Sequence, residues 1–451
     1  MRRSAWRFLF ISSDIRNRIL ITIGLLILYR LVAHVPVPGV NRAAIAGVLG
    51  GSGQGQTLIG LLDLLSGGTV SNFGVMAMGV YPYITAQIIL QLLVPIVPAL
   101  QARMDEDPRE GRKWMEKWTY YLAIPMSLLQ AVGQIRIFQQ YASQQSGSIL
   151  TFPLGLNVAT FTMLLTMTAG TMFAIWLGEL ISEYGIRNQG LSLIIFAGIV
   201  ARIPSNLGRL LTNQTQGTLI PLLVFLIFLL VLTIFAIVYV QEGRRNVPVM
   251  YPGRRVGNRM SMPVKGTLPL MVNMAGMIPI IFGQSLLTFP AVIAQFFIQS
   301  TNTTVAKIAT FFSNTFGGFS DTYWVLFFLM VVGFTFFYTD VLFAQQNYGE
   351  NLKRVGARIK GVSPGGPTQR YLTKVLRRIT FPGALFLGIV AVLPYLSQVI
   401  VQSLGIGGVN TSALLVSSAG LLIVVGTVRD TFFNIEAELK IHGYEDSLLV
   451  R

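Results

Sequence analysis

The sequence predicts an all-α integral membrane protein, and three observations support that prediction. Apolar residues make up 53% of the 451 residues. Charged residues make up only 12%, about half the fraction usual in a soluble domain. The chain also contains ten predominantly apolar segments, most of them close to the roughly 20 residues that a helix needs to cross a hydrocarbon core.

The ten segments divide into five and five around a long basic stretch. They cover residues 19–35, 75–97, 118–137, 153–178, 191–204, 218–240, 268–289, 322–344, 380–402 and 411–428. An odd number of spans in each half makes the second half enter from the opposite side, so the predicted repeat is inverted. The predicted parts are a cytoplasmic N-terminus (1–18), a first half (19–204), a basic linker (241–267), a second half (218–428), a second basic loop (345–379) and a C-terminal tail (429–451).

The distribution of Lys and Arg predicts the orientation, because cytoplasmic loops carry an excess of these residues. If the N-terminus is cytoplasmic, the segments on that side contain 28 of the 34 basic residues. Both termini are therefore predicted to be cytoplasmic. No cleavable signal is apparent before the first apolar run, so residues 19–35 are expected to stay as a helix.

A short leucine-rich stretch interrupts the first half. Leu58, Leu61, Leu62 and Leu65 follow a helical i, i+3, i+4, i+7 spacing, and Ser66, Gly67, Gly68 and Thr69 then end the pattern. About two helical turns are too short to span a bilayer. The stretch is expected either to lie at the membrane interface as an amphipathic helix or to fold back into the protein.

The seventh segment, 268–289, is irregular, and several amides are predicted at membrane depth. Asn273, Gly276, Pro279 and Gly283 predict a broken or bent helix that faces protein or water. Gln91, Gln130 and Asn273 fit two interpretations. They form ordinary interhelical hydrogen bonds of about 0.6 kcal/mol each, or together they line a seam.

Several classes of chemistry are excluded or disfavoured. The chain has no Cys and only two His, which excludes disulfides, thiolate metal sites and histidine metal clusters. No nucleotide-binding or hydrolase motif is present, so no cofactor is expected. Asp340 is the only acid clearly inside a span, and it lies near the inner end, which disfavours a proton- or sodium-coupled transporter. An inverted-repeat solute transporter and an intramembrane enzyme or flippase remain the alternatives.

Several motifs closely resemble the SecY family, the channel subunits of bacterial protein translocases. They are PVPGV (36–40), SGGTVSNFG (66–74), YPYITAQIILQLL (81–93), GTMFAIWLGELISEYGIRNQGLSLIIFAGIV (170–200), VNMAGMIPIIF (272–282), FFYTDVLF (336–343) and LLIVVGTVRDT (421–431). The resemblance implies an hourglass of ten helices in two inverted halves, in a bacterial inner membrane. Unfolded polypeptide would cross its centre or leave sideways into lipid.

The resemblance also implies roles for particular residues. A hydrophobic constriction would be formed by Ile84, Ile88, Leu191, Ile195, Ile281 and Ile423, where Leu191 replaces the usual Ile. A plug (58–74) would close the outer funnel and contain Leu61, Leu62, Leu65, Ser66, Gly67, Gly68 and Thr69. A lateral gate would be bridged by Gln91, Gln130 and Asn273.

Partners follow from the resemblance and from the basic loops. Positive-inside bias explains part of their charge, but a 35-residue hydrophilic loop over 345–379 exceeds what a turn needs. The resemblance implies docking of the ribosome or of the ATPase SecA, companion subunits SecE and SecG, an unfolded preprotein with a signal sequence, and membrane lipid.

Ser363 replaces an arginine usual in the family. The predicted docking residues are Arg244, Arg245, Arg254, Arg255, Lys353, Arg354, Arg358, Lys360 and Arg370.

Overall fold

The computed structural model describes the greater part of the chain. The described residues are 13–41, 69, 73–145, 157–201, 204, 216–252, 255–256, 259–260, 264–295, 297–298, 302–316, 320–403 and 418–441. The helices among them are α1 (Ser13–Ala33), α2 (Tyr81–Ile96), α3 (Pro98–Glu106), α4 (Pro108–Gln145), α5 (Val158–Tyr184), α6 (Gly190–Val200), α7 (Gln216–Glu242), α8 (Ile278–Gln295), α9 (Thr303–Phe316), α10 (Asp321–Gln345), α11 (Tyr348–Arg354), α12 (Gly366–Ser403) and α13 (Ser418–Ile441). The strands are β1 (Arg244–Tyr251), β2 (Arg255–Val256), β3 (Arg259–Met260) and β4 (Val264–Met271).

The helices confirm a multi-pass, all-α membrane architecture. Within the described residues, four helical stretches are long and apolar enough to cross a membrane: Lys113–Gln139, Val158–Tyr184, Asp321–Arg354 and Gly366–Ser397. Shorter apolar helical stretches cover Tyr81–Val94, Gly190–Val200, Ile227–Glu242 and Ile278–Ala294.

The chain divides into two compact units that cut across the predicted halves. The first unit consists of Met1–Leu223, Ser285–Tyr323 and Pro394–Arg451, and the second of Val224–Gln284 and Trp324–Leu393. Neither unit corresponds to one of the two five-helix halves, and the inverted halves stay a prediction.

The basic linker 241–267 and the start of the seventh span differ from the prediction. Strands β1 and β4 form an antiparallel pair in which Val247 lies opposite Leu268 and Arg245 opposite Leu270. Residues 268–271 therefore belong to a strand, and α8 begins only at Ile278. A short apolar run fits a strand as well as a helix, and here pairing with β1 decides its structure.

The second basic loop is much shorter than the predicted 35 residues. Helix α11 occupies its first part, and α12 begins at Gly366 rather than near residue 380. Pro367 is tolerated there because the first turn of a helix needs no backbone donor. Leu372 and Leu376 on the added turns are fully buried, so an amphipathic extension replaces the expected loop.

Three other helices extend beyond the predicted spans. Helix α1 begins at Ser13, six residues inside the predicted cytoplasmic N-terminus, and α4 begins at Pro108. Helix α13 continues to Ile441, through much of the predicted tail. The ion pair between Arg18 and Glu438, 3.1 Å apart, joins the extensions of α1 and α13 within the first unit.

Close backbone packing explains the glycines of the GELISEYGIRNQG motif. The N–H of Gly190 donates to Ser182 Oγ at 3.1 Å, and the Ser182 hydroxyl donates to the Gly178 carbonyl at 3.0 Å. A Cβ at Gly190 would overlap the Gly178 carbonyl oxygen. The turn between α5 and α6 therefore needs glycine at this position, which fixes α6 against α5.

Candidate functional site

Helix α2 carries two of the predicted constriction residues in the first unit. Pro82 lies in its first turn, where proline is well tolerated. Ile88 is buried, and Ile84 is partly buried one helical turn before it. The i, i+4 spacing puts both isoleucines on one face of α2.

The other predicted constriction residues are also withdrawn from the surface. Ile195, Ile281 and Ile423 are at most 7% exposed, and Leu191 is partly buried. Leu191 packs against the cluster of Tyr83, Ala86, Ala123 and Ile175. This packing is enough to explain why the Leu191 side chain is partly buried. Ile281 belongs to the second unit and the other five to the first, and a common ring stays a prediction.

Two of the three predicted gate amides, Gln130 and Asn273, form hydrogen bonds within their own surroundings. Gln130 on α4 is buried, and its Nε2 donates to Thr85 Oγ1 on α2 at 3.2 Å. The Nδ2 of Asn273 donates to the Gly276 carbonyl at 3.1 Å, which stabilises the turn before α8. Gln91 is partly buried, and its Oε1 has no hydrogen-bond partner among the described residues.

The end of the predicted plug is hydrogen-bonded to the segment that follows α1. Val75 N–H donates to the Val35 carbonyl at 2.8 Å, and Val37 N–H donates to the Phe73 carbonyl at 3.4 Å. Buried Thr69 donates its hydroxyl to the Ala77 carbonyl at 3.3 Å. The bond between Val37 and Phe73 joins the PVPGV and SGGTVSNFG motifs. The predicted plug residues Leu61, Leu62, Leu65, Ser66, Gly67 and Gly68 lie outside the described residues.

The two basic segments of the second unit form one module. Met250 on β1 and Arg358 exchange two backbone hydrogen bonds of 2.8 Å each. Beneath them lies an apolar core, to which both segments and the ends of α10 and α12 contribute. Its buried members are Val247, Val249, Leu270, Phe343, Leu352, Ala357, Ile359, Leu372 and Leu376.

The predicted docking residues lie on the outside of this module. All those with described side chains are exposed: Arg244, Arg245, Lys353, Arg354, Arg358, Lys360 and Arg370. Arg244 lies 3.1 Å from Glu242, and Lys353 lies 3.9 Å from Glu350. Arg255 is described only as part of strand β2, and Arg254 lies outside the described residues.

Ser363 takes part in the turn that precedes α12. Its carbonyl accepts a 2.8 Å hydrogen bond from the Thr368 hydroxyl, and its side chain is exposed. The bond uses only the backbone of residue 363, so an arginine at this position would preserve it.

A groove between α10 and α12 contains basic residues that the sequence analysis did not single out. Lys374, Arg377 and Arg378 lie in it together with Arg370, and its volume is about 750 Å³. Their helical spacing of three to four residues was the available signal. The sequence-based prediction places these residues in the loop 345–379, where a helical spacing has no meaning.

Comparison with known proteins identifies the family. The SecY family model matches residues 74–432. A protein translocase subunit SecY from Synechococcus elongatus is 37% identical over 439 residues, which cover 96% of this chain and 94% of the relative. The chain belongs to the SecY family.

Two solved channel structures support the SecY fold. One is a SecY protein whose plug domain stabilises the closed state of the translocation channel and maintains a membrane seal, with 17% identity and a TM-score of 0.60. The other is Sec61 in the canine ribosome–channel complex from the endoplasmic reticulum, with 16% identity and a TM-score of 0.58. Each match covers 99% of this chain and 100% of the other.

Proposed function

We propose that this SecY-family protein is a subunit of a bacterial protein translocase that conducts unfolded polypeptides across the inner membrane and releases hydrophobic segments sideways into lipid. The observation that carries this proposal is the match to a translocase subunit along nearly the whole length of both chains. The solute-transporter alternative finds no support among the relatives. The protein is a channel rather than an enzyme.

A hydrophobic constriction meets two opposing requirements of such a channel. An unfolded chain exposes peptide groups that cost several kcal/mol each in hydrocarbon, so it needs a wet path. A permanently wet path would leak ions, whereas a narrow aliphatic ring excludes water until a chain enters. We assign this ring to Ile84, Ile88, Leu191, Ile195, Ile281 and Ile423. Their burial supports the assignment.

The plug is proposed to seal the outer side of the idle channel. We expect deletion of residues 58–68 to leave secretion possible but to raise the ion conductance of the idle channel in planar bilayers. The deletion keeps Thr69, whose hydroxyl bonds to Ala77, so the attachment beside α1 is preserved. A Thr69→Val variant is the control, because it removes one hydroxyl and keeps the whole plug. Unchanged idle conductance after the deletion would contradict the plug.

The lateral gate is proposed to involve Gln91, Gln130 and Asn273. Amide hydrogen bonds contribute modestly between membrane helices, so an apolar signal segment can compete with them. We expect Asn273→Leu to let less hydrophobic signal sequences enter, measured as export of a reporter with a graded series of signals. The control is Gly276→Ala, because it strains the same turn at φ +63° without removing the amide. Equal effects of the two variants would indicate that Asn273 only stabilises the turn.

The basic module of the second unit is proposed as the docking surface for the ribosome or for SecA. Its exposed Lys and Arg side chains suit rRNA phosphates, for which charge neutralisation dominates affinity. SecA or the ribosome would supply the energy, and SecE and SecG would complete the complex. Both termini are proposed to be cytoplasmic, as the loop charges predict. Protease protection of secretory protein in vesicles containing this chain, SecE and SecA tests the function as a whole.

A further inference from the structure

Helix α9 is a short helix in the connection between α8 and α10. Its 14 residues give about 21 Å of helix, too short to cross a hydrocarbon core of roughly 30 Å. Only residues 317–320 separate it from α10, which is long and apolar enough to cross a membrane. An extended residue reaches at most about 3.5 Å, so α9 has to lie close to the membrane surface. The loop charges predict that this is the outer surface.

Hydrogen bonds and packing fix the orientation of α9 within the first unit. The Ser320 hydroxyl donates to the Thr315 carbonyl at 3.3 Å, and the Tyr323 N–H donates to Ser320 Oγ at 3.3 Å. These bonds tie the end of α9 to the start of α10. Phe316 packs against the apolar cluster that contains Phe73. One face of α9 is therefore committed to the protein, and the helix cannot rotate to bury another face without breaking these contacts.

The side chains of α9 divide into three faces. Ala309 and Ser313 are buried and form the face toward the protein. A second face is apolar but open, because Ile308, Phe311 and Phe312 are 54%, 64% and 40% exposed at the helical i, i+3, i+4 spacing. The third face is polar and exposed, and it consists of Thr303, Lys307, Thr310 and Asn314. Water surrounding the whole helix would explain the polar face but not the apolar one.

Ring contacts keep the apolar face pointing outward. Phe312 stacks on Phe316 with centroids 5.6 Å apart and planes 12° apart, and Phe311 meets Phe312 edge to face at 6.0 Å. Because Phe316 is held by the protein, this chain of rings leads from the core to the exposed face. A stable protein interface buries roughly 800 Å² on each partner, much more than three partly exposed side chains provide. The face is therefore better suited to lipid than to a partner protein.

We propose that α9 is an interfacial helix whose Ile308, Phe311 and Phe312 side chains insert into the outer leaflet, at the boundary between headgroups and acyl chains. Helices of this kind carry Lys or Arg on a polar face and bury the apolar face about 5–10 Å into that boundary. Lys307 lies one turn before Phe311, so its aliphatic stem can follow the apolar surface while its ammonium group stays among the lipid phosphates. The proposal needs only the membrane location of this protein, and it does not depend on what the protein conducts.

Single spin labels test the proposal, because the chain contains no cysteine of its own. The full-length variants Ile308→Cys and Phe311→Cys place a label on the apolar face. Lys307→Cys and Thr310→Cys are the matched controls, because they place it on the polar face at the same depth along the helix. All four side chains are exposed, so labelling preserves the packing of α9. In liposomes of phosphatidylethanolamine and phosphatidylglycerol, power saturation measures collisions with oxygen, which concentrates in the bilayer, and with a water-soluble nickel complex.

We expect the ratio of oxygen to nickel collisions to be at least several-fold higher on the apolar face than on the polar face. Equal ratios on the two faces would place the apolar face in water and overturn the proposal. Low collision rates with both reagents on the apolar face, in the chain alone or in its complex with SecE, would show that protein covers it and would also overturn the proposal. Secretion assayed in the same vesicles tests the proposed function separately, so either proposal can fail without the other.

Discussion

Single glycines determine how closely the helices of the first unit approach one another. A Cβ at Gly190 would overlap the Gly178 carbonyl oxygen, and a Cβ at Gly74 would overlap the Ala33 carbonyl oxygen. Both obstacles are backbone atoms, which cannot move aside as a flexible side chain can. These positions therefore tolerate no larger residue without displacement of a helix.

We expect Gly190→Ala to destabilise the protein by about 3 kcal/mol, at the upper end of the usual cost of overpacking. The measurement is the thermal unfolding of the full-length protein in detergent. Gly24→Ala is the matched control, because Gly24 lies in α1 with nothing within 4 Å of a new Cβ. Alanine should be neutral there, or stabilising by up to about 1 kcal/mol. Equal melting temperatures for the two variants would show that the turn can shift.

The sequence motifs predict that these glycines are important. They do not predict the physical reason, which is close packing between backbone segments. The motif containing Gly178, Ser182 and Gly190 resembles the SecY family, and that resemblance marks these residues as important. Its physical cause is a hydrogen-bonded contact across the turn between α5 and α6. The distance between two backbone segments that meet across a turn is not encoded in any local spacing, so it could not be predicted.

Among the structural elements, the β1–β4 pair has the clearest consequence for function. It brings Met250 to Arg358 and so joins the two basic segments into one surface. The sequence predicts a basic docking region in both segments, and it predicts the bounds of α7 and α10 to within two residues. It missed the strand at 268–271 and the early start of α12, because short apolar runs and amphipathic extensions are ambiguous before their partners are known.

We expect Arg358→Pro to loosen this module, whereas Arg358→Gln should not. Proline removes the N–H that donates to the Met250 carbonyl at 2.8 Å. Met250 and Arg358 are both exposed, so losing this hydrogen bond costs about 0.5–1.5 kcal/mol. Trypsin should therefore cleave after Arg354 and Lys360 at least several-fold faster in the proline variant. Both substitutions remove the same positive charge and the same cleavage site, so they differ only in the backbone. Equal cleavage rates would contradict a structural role for the bridge.

At the scale of the whole molecule, charge is distributed very unevenly. The formal net charge is +16, and most of the basic residues fall in segments predicted to be cytoplasmic. The exposed arginines and lysines of the second unit's module lie over an apolar core that holds them in place. A rigid positive surface of this kind attracts polyanions at long range, and salt screens that attraction.

We therefore expect ribosome binding to the reconstituted protein to weaken steeply with salt, and we expect the slope to depend on this surface. No ion pair among the described residues involves Arg245, Arg354 or Lys360. Replacing all three with glutamine should therefore reduce the slope of the logarithm of the binding constant against the logarithm of the salt concentration by about 2 to 3. Lys307 is exposed on α9, which is predicted to face the opposite side, so Lys307→Gln should leave the slope unchanged. Co-sedimentation of ribosomes with proteoliposomes at several salt concentrations provides both slopes. An unchanged slope in the triple variant would exclude this surface from docking, and an equal effect of Lys307→Gln would attribute binding to net charge alone.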